Sequence, residues 1–350
     1  MNEVPVIDIG PLRAGAEGTE DVAAAIDRAC REVGFFCVSG HGAPLDVLAS
    51  LDPEARRFFA RPEDEKAEIA MVRAGAAWRG WFPLGGELTS GRPDGKEGLY
   101  FGEELDATDP RVRAGLPLHG SNLFPAGRPE FARSVLAWMA EMAALAATLM
   151  RGVALGLGLA PEWFEEDLTR QPTVLFRVFR YPPTDEDGWG VGEHTDYGLL
   201  TILAQDASGG LQVRGPAGWL DVPALPGVLV CNIGDMLDRM TGGRYRSTPH
   251  RVRNSSGRDR LSFPFFFDPG WDALVRPVPL VGESPSDDAG TRWDGASVHH
   301  WEGTYGDYLL GKVGKVFPAL AERSSARGPG VGEAAVGQAA GRPAAPRAEG

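Results

Sequence analysis

Long apolar runs, cysteine and basic charge are all scarce in this 350-residue chain, and each shortage removes a class of function. No apolar stretch approaches the roughly 20 residues needed to cross a bilayer. The first residues, MNEVPVIDIG, lack a basic segment followed by an apolar one, so no secretory leader is expected and the cytoplasm is the default compartment. Three cysteines, Cys30, Cys37 and Cys231, are too few and too irregularly spaced for a disulfide framework or a thiolate metal site, and read as reduced core thiols. Lys and Arg number 35 against 48 Asp and Glu, and the net charge of −13 argues against a nucleic-acid partner, which demands excess cations on one face. Internal repeats are absent. A small-molecule ligand and a monomer are the simplest expectation.

What is present is enough apolar residue, 43%, to bury a sizeable core, in one large domain with appended helices or in two lobes. Residues 4–9 read as a short strand ended by Gly10-Pro11. Residues 19–33 read as a helix, with Thr19 as N-cap, acids in the first turn, a stripe of Val22, Ile26, Ala29 and Val33, and Gly34 as the stop. A strand over 35–38 leads to His41 in a Gly-rich turn; with no carboxylate beside it, that His is expected to be structural. Residues 44–69 read as helix. Residues 75–104 mix aromatics, glycines and charges without a period, as a substrate-shaping loop or an irregular surface segment would. Residues 130–158 form the strongest helical pattern, with Met139, Met142 and Met150 as core filler.

From about 171 to 269 the texture changes to short β-runs separated by turns, an all-β signature. The class is mainly β with flanking helices. The expected divisions are an N-terminal region over 1–125, a long helix over 126–168, the β core over 169–275, a closing helical segment over 276–323 and a disordered tail over 324–350.

Within the β-rich part, VGEHTDYGLLTIL places His194 and Asp196 two residues apart, and residues i and i+2 of a strand share a face. An imidazole and a carboxylate converging on one point are two thirds of the facial triad that holds non-haem Fe(II) and leaves open positions. His250 in RYRSTPHRVRN, 54 residues after Asp196, is the candidate for the third. The ordinary alternative, a surface His and a turn Asp, weakens because ten residues beyond His250 stand Arg260 and Ser262 in RDRLSF, again at i and i+2. An Arg fork beside a hydroxyl suits a carboxylate, which implies a dicarboxylate co-substrate. Otherwise Arg260 would be a surface ion pair with Asp259 or another acid.

HTDYGLLTIL, NIGDML…YRSTPHRVRN and RDRLSFPFFFDP together resemble the isopenicillin N synthase-like group of Fe(II)- and 2-oxoglutarate-dependent oxygenases. VPVIDIGPL, GFFCVSGHG and DGKEGLYFGEE are similar to that family's N-terminal region, so the resemblance covers most of the chain. It implies a double-stranded β-helix (jelly-roll) core in which His194, Asp196 and His250 hold Fe(II). Arg260 and Ser262 would hold the distal carboxylate of 2-oxoglutarate, with Tyr181 of RYPP assisting and Asn232 of NIGD lying near the site. The implied reaction is oxidation, most simply hydroxylation, of a small molecule by O2, with succinate and CO2 as co-products. An iron oxidase or cyclase that needs no 2-oxoglutarate is the alternative within the family, and a non-catalytic ligand-binding protein is the alternative outside it. Because a ligating His must be neutral, metal affinity is expected to fall below about pH 6.5.

Residues 324–350 contain no Ile, Leu, Met, Phe, Trp or Tyr. Little burial can offset an ordering cost of roughly 1–2 kcal/mol per residue. A chain ending at Arg323 is therefore expected to keep its fold, its metal and its turnover. A loss of turnover beyond about tenfold, roughly 1.4 kcal/mol of barrier, would instead mark the tail as a lid over the active site.

Overall fold

The computed structural model describes residues 3–89, 91–183, 188–215, 217–279, 299 and 302–317. The chain opens with β1 (Val6–Asp8), α1 (Gly10–Ala14), α2 (Thr19–Glu32) and β2 (Phe35–Ser39). Next come α3 (Leu45–Phe59), the single turn α4 (Glu63–Lys66), and the strands β3 (Gly80–Phe82), β4 (Leu88–Thr89), β5 (Arg92–Pro93) and β6 (Glu97–Gly102). α5 (Pro110–Arg113), the long α6 (Pro129–Gly156) and α7 (Trp163–Asp167) lead to the β-rich part. It holds β7 (Thr173–Tyr181), β8 (Val191–His194), β9 (Leu200–Gln205), β10 (Leu211–Gly215), β11 (Gly218–Val222), β12 (Leu229–Ile233), α8 (Asp235–Met240), β13 (His250–Val252) and β14 (Arg260–Asp268). α9 (Tyr305–Val316) closes the described chain.

Eight strands form one sheet in the order β1-β2-β12-β9-β14-β7-β6-β3, and four form a second in the order β11-β10-β13-β8. All their pairings are antiparallel except β1 with β2. The two sheets make a jelly-roll core, and a cavity of about 400 Å³ between them is lined from both. Along β14 the even-numbered Arg260, Ser262, Pro264, Phe266 and Asp268 face this cavity, and along β7 the odd-numbered Leu175, Arg177, Phe179 and Tyr181 do.

Several sequence expectations shift for identifiable reasons. The helix expected over 44–69 ends at Phe59, because Pro62 cannot continue the backbone ladder and instead starts the separate turn α4. α2 has the expected extent, but Gly18 is its N-cap, while the Thr19 hydroxyl bonds the carbonyls of Ala16 and Pro11. Residues 75–104 are not a loop throughout. β3 and β6 extend the large sheet past β7, and every residue in both is buried, so neither shows the polar–apolar alternation that marks a half-exposed strand. α6 corrects the expectation about membrane spans: its 28 residues are long and apolar enough to cross a bilayer by length and composition. Half of its most apolar window is buried, and Trp138, Met142 and Leu149 on it are fully enclosed in the core. Met139 and Met150 are also buried, and the three free cysteines are buried thiols raised by that burial, Cys37 to about 11. Part of the closing helical segment and the whole of 324–350 lie outside the described residues.

Gly34 sits where α2 must turn into β2, at φ +71°, and a Cβ there would stand 2.4 Å from the carbonyl oxygen of Arg246, in the segment leading to β13. Gly34→Ala therefore combines a left-handed conformation, costing roughly 1–2 kcal/mol, with a clash against fixed backbone. Its urea-unfolding free energy is expected to fall by about 2 kcal/mol or more.

Candidate active site

The small sheet creates the first half of the site. β8 and β13 run antiparallel with His194 directly opposite His250, and their ring centroids lie 4.2 Å apart. β8 ends at His194, so Asp196 is carried not by the strand but by the connection to β9, where the Asp235 backbone N–H holds its carbonyl at 2.8 Å. One ligand atom from each of His194, Asp196 and His250 falls within 4.8 Å of the others.

Each side chain is held so that one atom stays available. His194 Nδ1 donates to the Gly192 carbonyl at 2.8 Å and His250 Nδ1 to that of Thr248 at 3.2 Å, which fixes both tautomers and leaves Nε2 free. Asp196 Oδ2 accepts from Thr201 Oγ1 at 2.6 Å and Asn232 Nδ2 at 2.7 Å, leaving Oδ1 facing His250 Nε2 at 3.7 Å. Asn232 thus acts on the carboxylate itself. Burial holds both imidazoles below their ordinary range. Burial pushes the Asp196 carboxyl up, but the two imidazoles and the Asn232 and Thr201 hydrogen bonds outweigh it and keep the group ionised. Two neutral imidazoles and a carboxylate on one wall are a donor set that fits Fe(II).

Arg260 stands at one end of the cavity and is wholly buried. Its Nε donates to the Gly209 carbonyl at 2.6 Å and its Nη2 to Gln205 Oε1 at 3.1 Å, while its Nη1 has no partner. Its guanidinium carbon lies 4.8 Å from the centroid of Tyr181, and Ser262 lines the same cavity two residues along β14. The ion pair with Asp259 that would have made Arg260 structural does not form: Asp259 pairs with Arg180 at 2.8 Å. An unmatched buried donor on a guanidinium beside a Ser hydroxyl fits an incoming carboxylate.

Other cavity groups escaped sequence reasoning. Lys96 is buried against Glu87 at 2.8 Å and Asp94 at 2.5 Å, and lies 4.9 Å from the Phe179 ring. Asp268, pushed by burial to about 7, accepts from Tyr305 of α9 at 2.5 Å. Tyr308 of α9 bonds Asp235 at 3.1 Å, so the last helix is tied to the strand and turn that frame the site. Glu87, Thr89 and Lys96 line the cavity, so 75–104 does contribute to its wall. His41 is apart from the site: its Nδ1 accepts from the Ala43 backbone and its Nε2 meets the Gly227 carbonyl at 3.1 Å.

Comparison with known proteins covers both halves of the chain. Residues 4–127 match the family described as non-haem dioxygenase in morphine synthesis N-terminal, and residues 172–269 match the 2OG-Fe(II) oxygenase superfamily. A Dictyostelium discoideum protein named as a probable iron/ascorbate oxidoreductase is 43% identical, over 91% of this chain and 96% of its own. A Glycine max homoarginine-6-hydroxylase is 37% identical over 89% and 97%. A full-length Neurospora crassa protein, solved in complex with alpha-KG, superposes with a TM-score of 0.72 at 25% identity, covering 88% of this chain and 95% of that one.

The depressed imidazoles move the pH limit expected from an ordinary His. Two imidazoles titrating near 6.5 would together lose roughly tenfold in metal affinity between pH 7.5 and 6.0. Burial holds His194 and His250 below that range, so Mn(II) affinity measured by calorimetry is expected to fall by less than tenfold over that interval, with the larger loss at lower pH. The metal-free fold should lose stability as pH drops below about 6.5, because there the unfolded chain takes up protons that the folded one refuses. A tenfold loss of affinity already at pH 6.0 would contradict this.

Proposed function

The chain belongs to the Fe(II)- and 2-oxoglutarate-dependent oxygenase family, and from that premise we propose that it hydroxylates a small organic molecule, with His194, Asp196 and His250 holding the iron and Arg260, Ser262 and Tyr181 holding 2-oxoglutarate. The chain is an enzyme that uses Fe(II), 2-oxoglutarate and O2. The observation that carries the residue assignment is the buried, partnerless Nη1 of Arg260, facing the same cavity as the three metal-type ligands. A carboxylate is the ligand group whose charge and geometry such a cation matches best. The name of the Glycine max relative, a hydroxylase, favours hydroxylation over ring closure.

When bound, iron with 2-oxoglutarate and O2 supplies an oxidant for an unactivated C–H bond: one oxygen enters the product hydroxyl and the other enters succinate as CO2 leaves. The protein's own residues do the rest. The carbonyls of Gly192 and Thr248 hold the Nδ1 protons and aim both Nε2 lone pairs at one point, and Asn232 and Thr201 keep the Asp196 carboxylate from rotating. Arg260 and Ser262 fix the far end of the co-substrate by charge and hydrogen bonding, with the Tyr181 ring as a wall. Phe179, Leu203, Leu211 and Val191 line the cavity with apolar surface that excludes water from the reacting centre.

His194→Ala, Asp196→Ala and His250→Ala are each expected to abolish 2-oxoglutarate-dependent succinate formation and to weaken Fe(II) binding at least tenfold; normal iron content with normal turnover in all three would remove the triad. Arg260→Lys keeps the charge but loses the fork. It should raise the KM for 2-oxoglutarate at least tenfold with iron retained, and Arg260→Ala should raise it further. An unchanged 2-oxoglutarate requirement in both would place the co-substrate elsewhere.

A further inference from the structure

We propose that the primary substrate is a carboxylic acid and that Arg177 binds its carboxylate. This rests on the oxygenase reading above and adds the chemical class of the molecule oxidised. Arg177 is on the cavity face of β7, where it alternates with Leu175, Phe179 and Tyr181. Its guanidinium carbon lies 3.6 Å from the centroid of Tyr100 and 5.0 Å from that of Phe266, so two aromatic rings pack against the cation. Such contacts consume none of its N–H donors as hydrogen bonds to an acid, and the donor fork matches a carboxylate. Among the described residues Arg177 makes no hydrogen bond and no ion pair.

The acids around it are already engaged. Glu87 is held by Lys96 at 2.8 Å and by the Tyr100 hydroxyl, Asp268 by Tyr305 at 2.5 Å, and Asp235 by Tyr308 at 3.1 Å and Lys312 at 3.5 Å. Arg177 still helps Lys96 to hold the Glu87 carboxyl below its ordinary range against the opposing effect of burial, so its charge reaches across this part of the cavity uncancelled by a contact of its own. α9 adds cations to the same wall: Lys312 and Lys315 line the cavity, and Lys312 Nζ lies 5.5 Å from the Tyr197 ring. An anionic substrate is the partner such a surface selects.

The co-substrate does not need this cation. Arg260 pairs in register with Tyr181, four residues along β7 from Arg177, roughly 13 Å at the rise of an extended strand. The two guanidiniums therefore serve opposite ends of the cavity, one next to Ser262 and the other next to Phe266, with the metal-type ligands on the facing wall.

The test uses the whole chain loaded with Mn(II) and 2-oxoglutarate, and calorimetric binding of four acids (L-arginine, L-leucine, phenylacetate and hexanoate), each beside its own primary amide. At least one acid is expected to bind tenfold or more tightly than its amide. Arg177→Gln should reduce that preference to within threefold and Arg177→Lys should keep part of it, with 2-oxoglutarate affinity in both variants within threefold of the parent protein, which also reports that they fold. The same ordering is expected in substrate-stimulated succinate formation by the Fe(II) form. Absence of any acid preference, or its persistence in Arg177→Gln, would overturn the inference. So would loss of 2-oxoglutarate binding in Arg177→Gln, which would assign Arg177 to the co-substrate. Failure of the parent protein itself to bind 2-oxoglutarate would overturn the oxygenase reading along with it, and is told apart by the missing 2-oxoglutarate heat.

Discussion

Arg260 imposes the constraint on which the site depends: a guanidinium out of contact with water has to be matched, and taking such a charge from solvent costs several kcal/mol. The two acids near it are assigned to other cations. Asp259 is drawn to Arg180 and Asp206 to Arg56, each at 2.8 Å. The Gly209 carbonyl, Gln205 and Tyr181, which pack against Arg260, fix its direction without supplying a carboxylate to cancel its charge. The fold thus keeps a cation without a matching acid on the wall of the cavity, and the proposed co-substrate carboxylate would supply one.

Strand parity carries that arrangement into three dimensions. β14 and β7 are neighbours in one sheet, and each sends alternate residues into the cavity, so Arg260, Ser262, Tyr181 and Arg177 arrive on one wall without any loop having to place them. The opposing small sheet supplies the facing imidazoles by a single register pair, His250 against His194. A slip of one residue in β14 would turn Arg260 and Ser262 away from the cavity and present Leu261 and Phe263. Rigidity here comes from hydrogen-bonded ladders packed between helices, and the anchoring of Asp196 by Asn232 links the small sheet's ligands to β12 of the large one.

What was legible in the sequence is what depends on short-range spacing. Arg260 with Ser262 stands out because two residues is the strand repeat, and α2 and α6 because their apolar residues recur with helical period; His194 and Asp196 stand out by the same spacing, although Asp196 lies past the end of β8 and is aimed by the connection to β9. β3 and β6 were hidden for the opposite reason: covered on both faces, they carry aromatic, glycine and charged residues with no alternation to read. The ion pair of Lys96 with Glu87, the packing of Arg177 against Tyr100 and Phe266, and the bond from Tyr305 to Asp268 join residues well separated in sequence. No local pattern records such pairs, since the desolvation that makes them matter exists only after the chain has folded. His41 shows the converse, a conspicuous residue whose bonds to Ala43 and Gly227 shape a turn and fasten it to the segment before β12, away from the site.

The bond between Tyr305 and Asp268 attaches α9 to the far end of β14, eight residues from Arg260. The strand that carries Arg260 at one end is thus fastened at the other to α9, and α9, which borders the Arg177 side of the cavity, is joined to the body of the protein at its first turn. On the proposed assignment, residues 177, 266, 312 and 315 form the receiving half of the cavity, apart from Arg260 and the three metal-type ligands. For a lineage of duplicated genes, such a division would let new molecules be taken up by rewriting the receiving half alone.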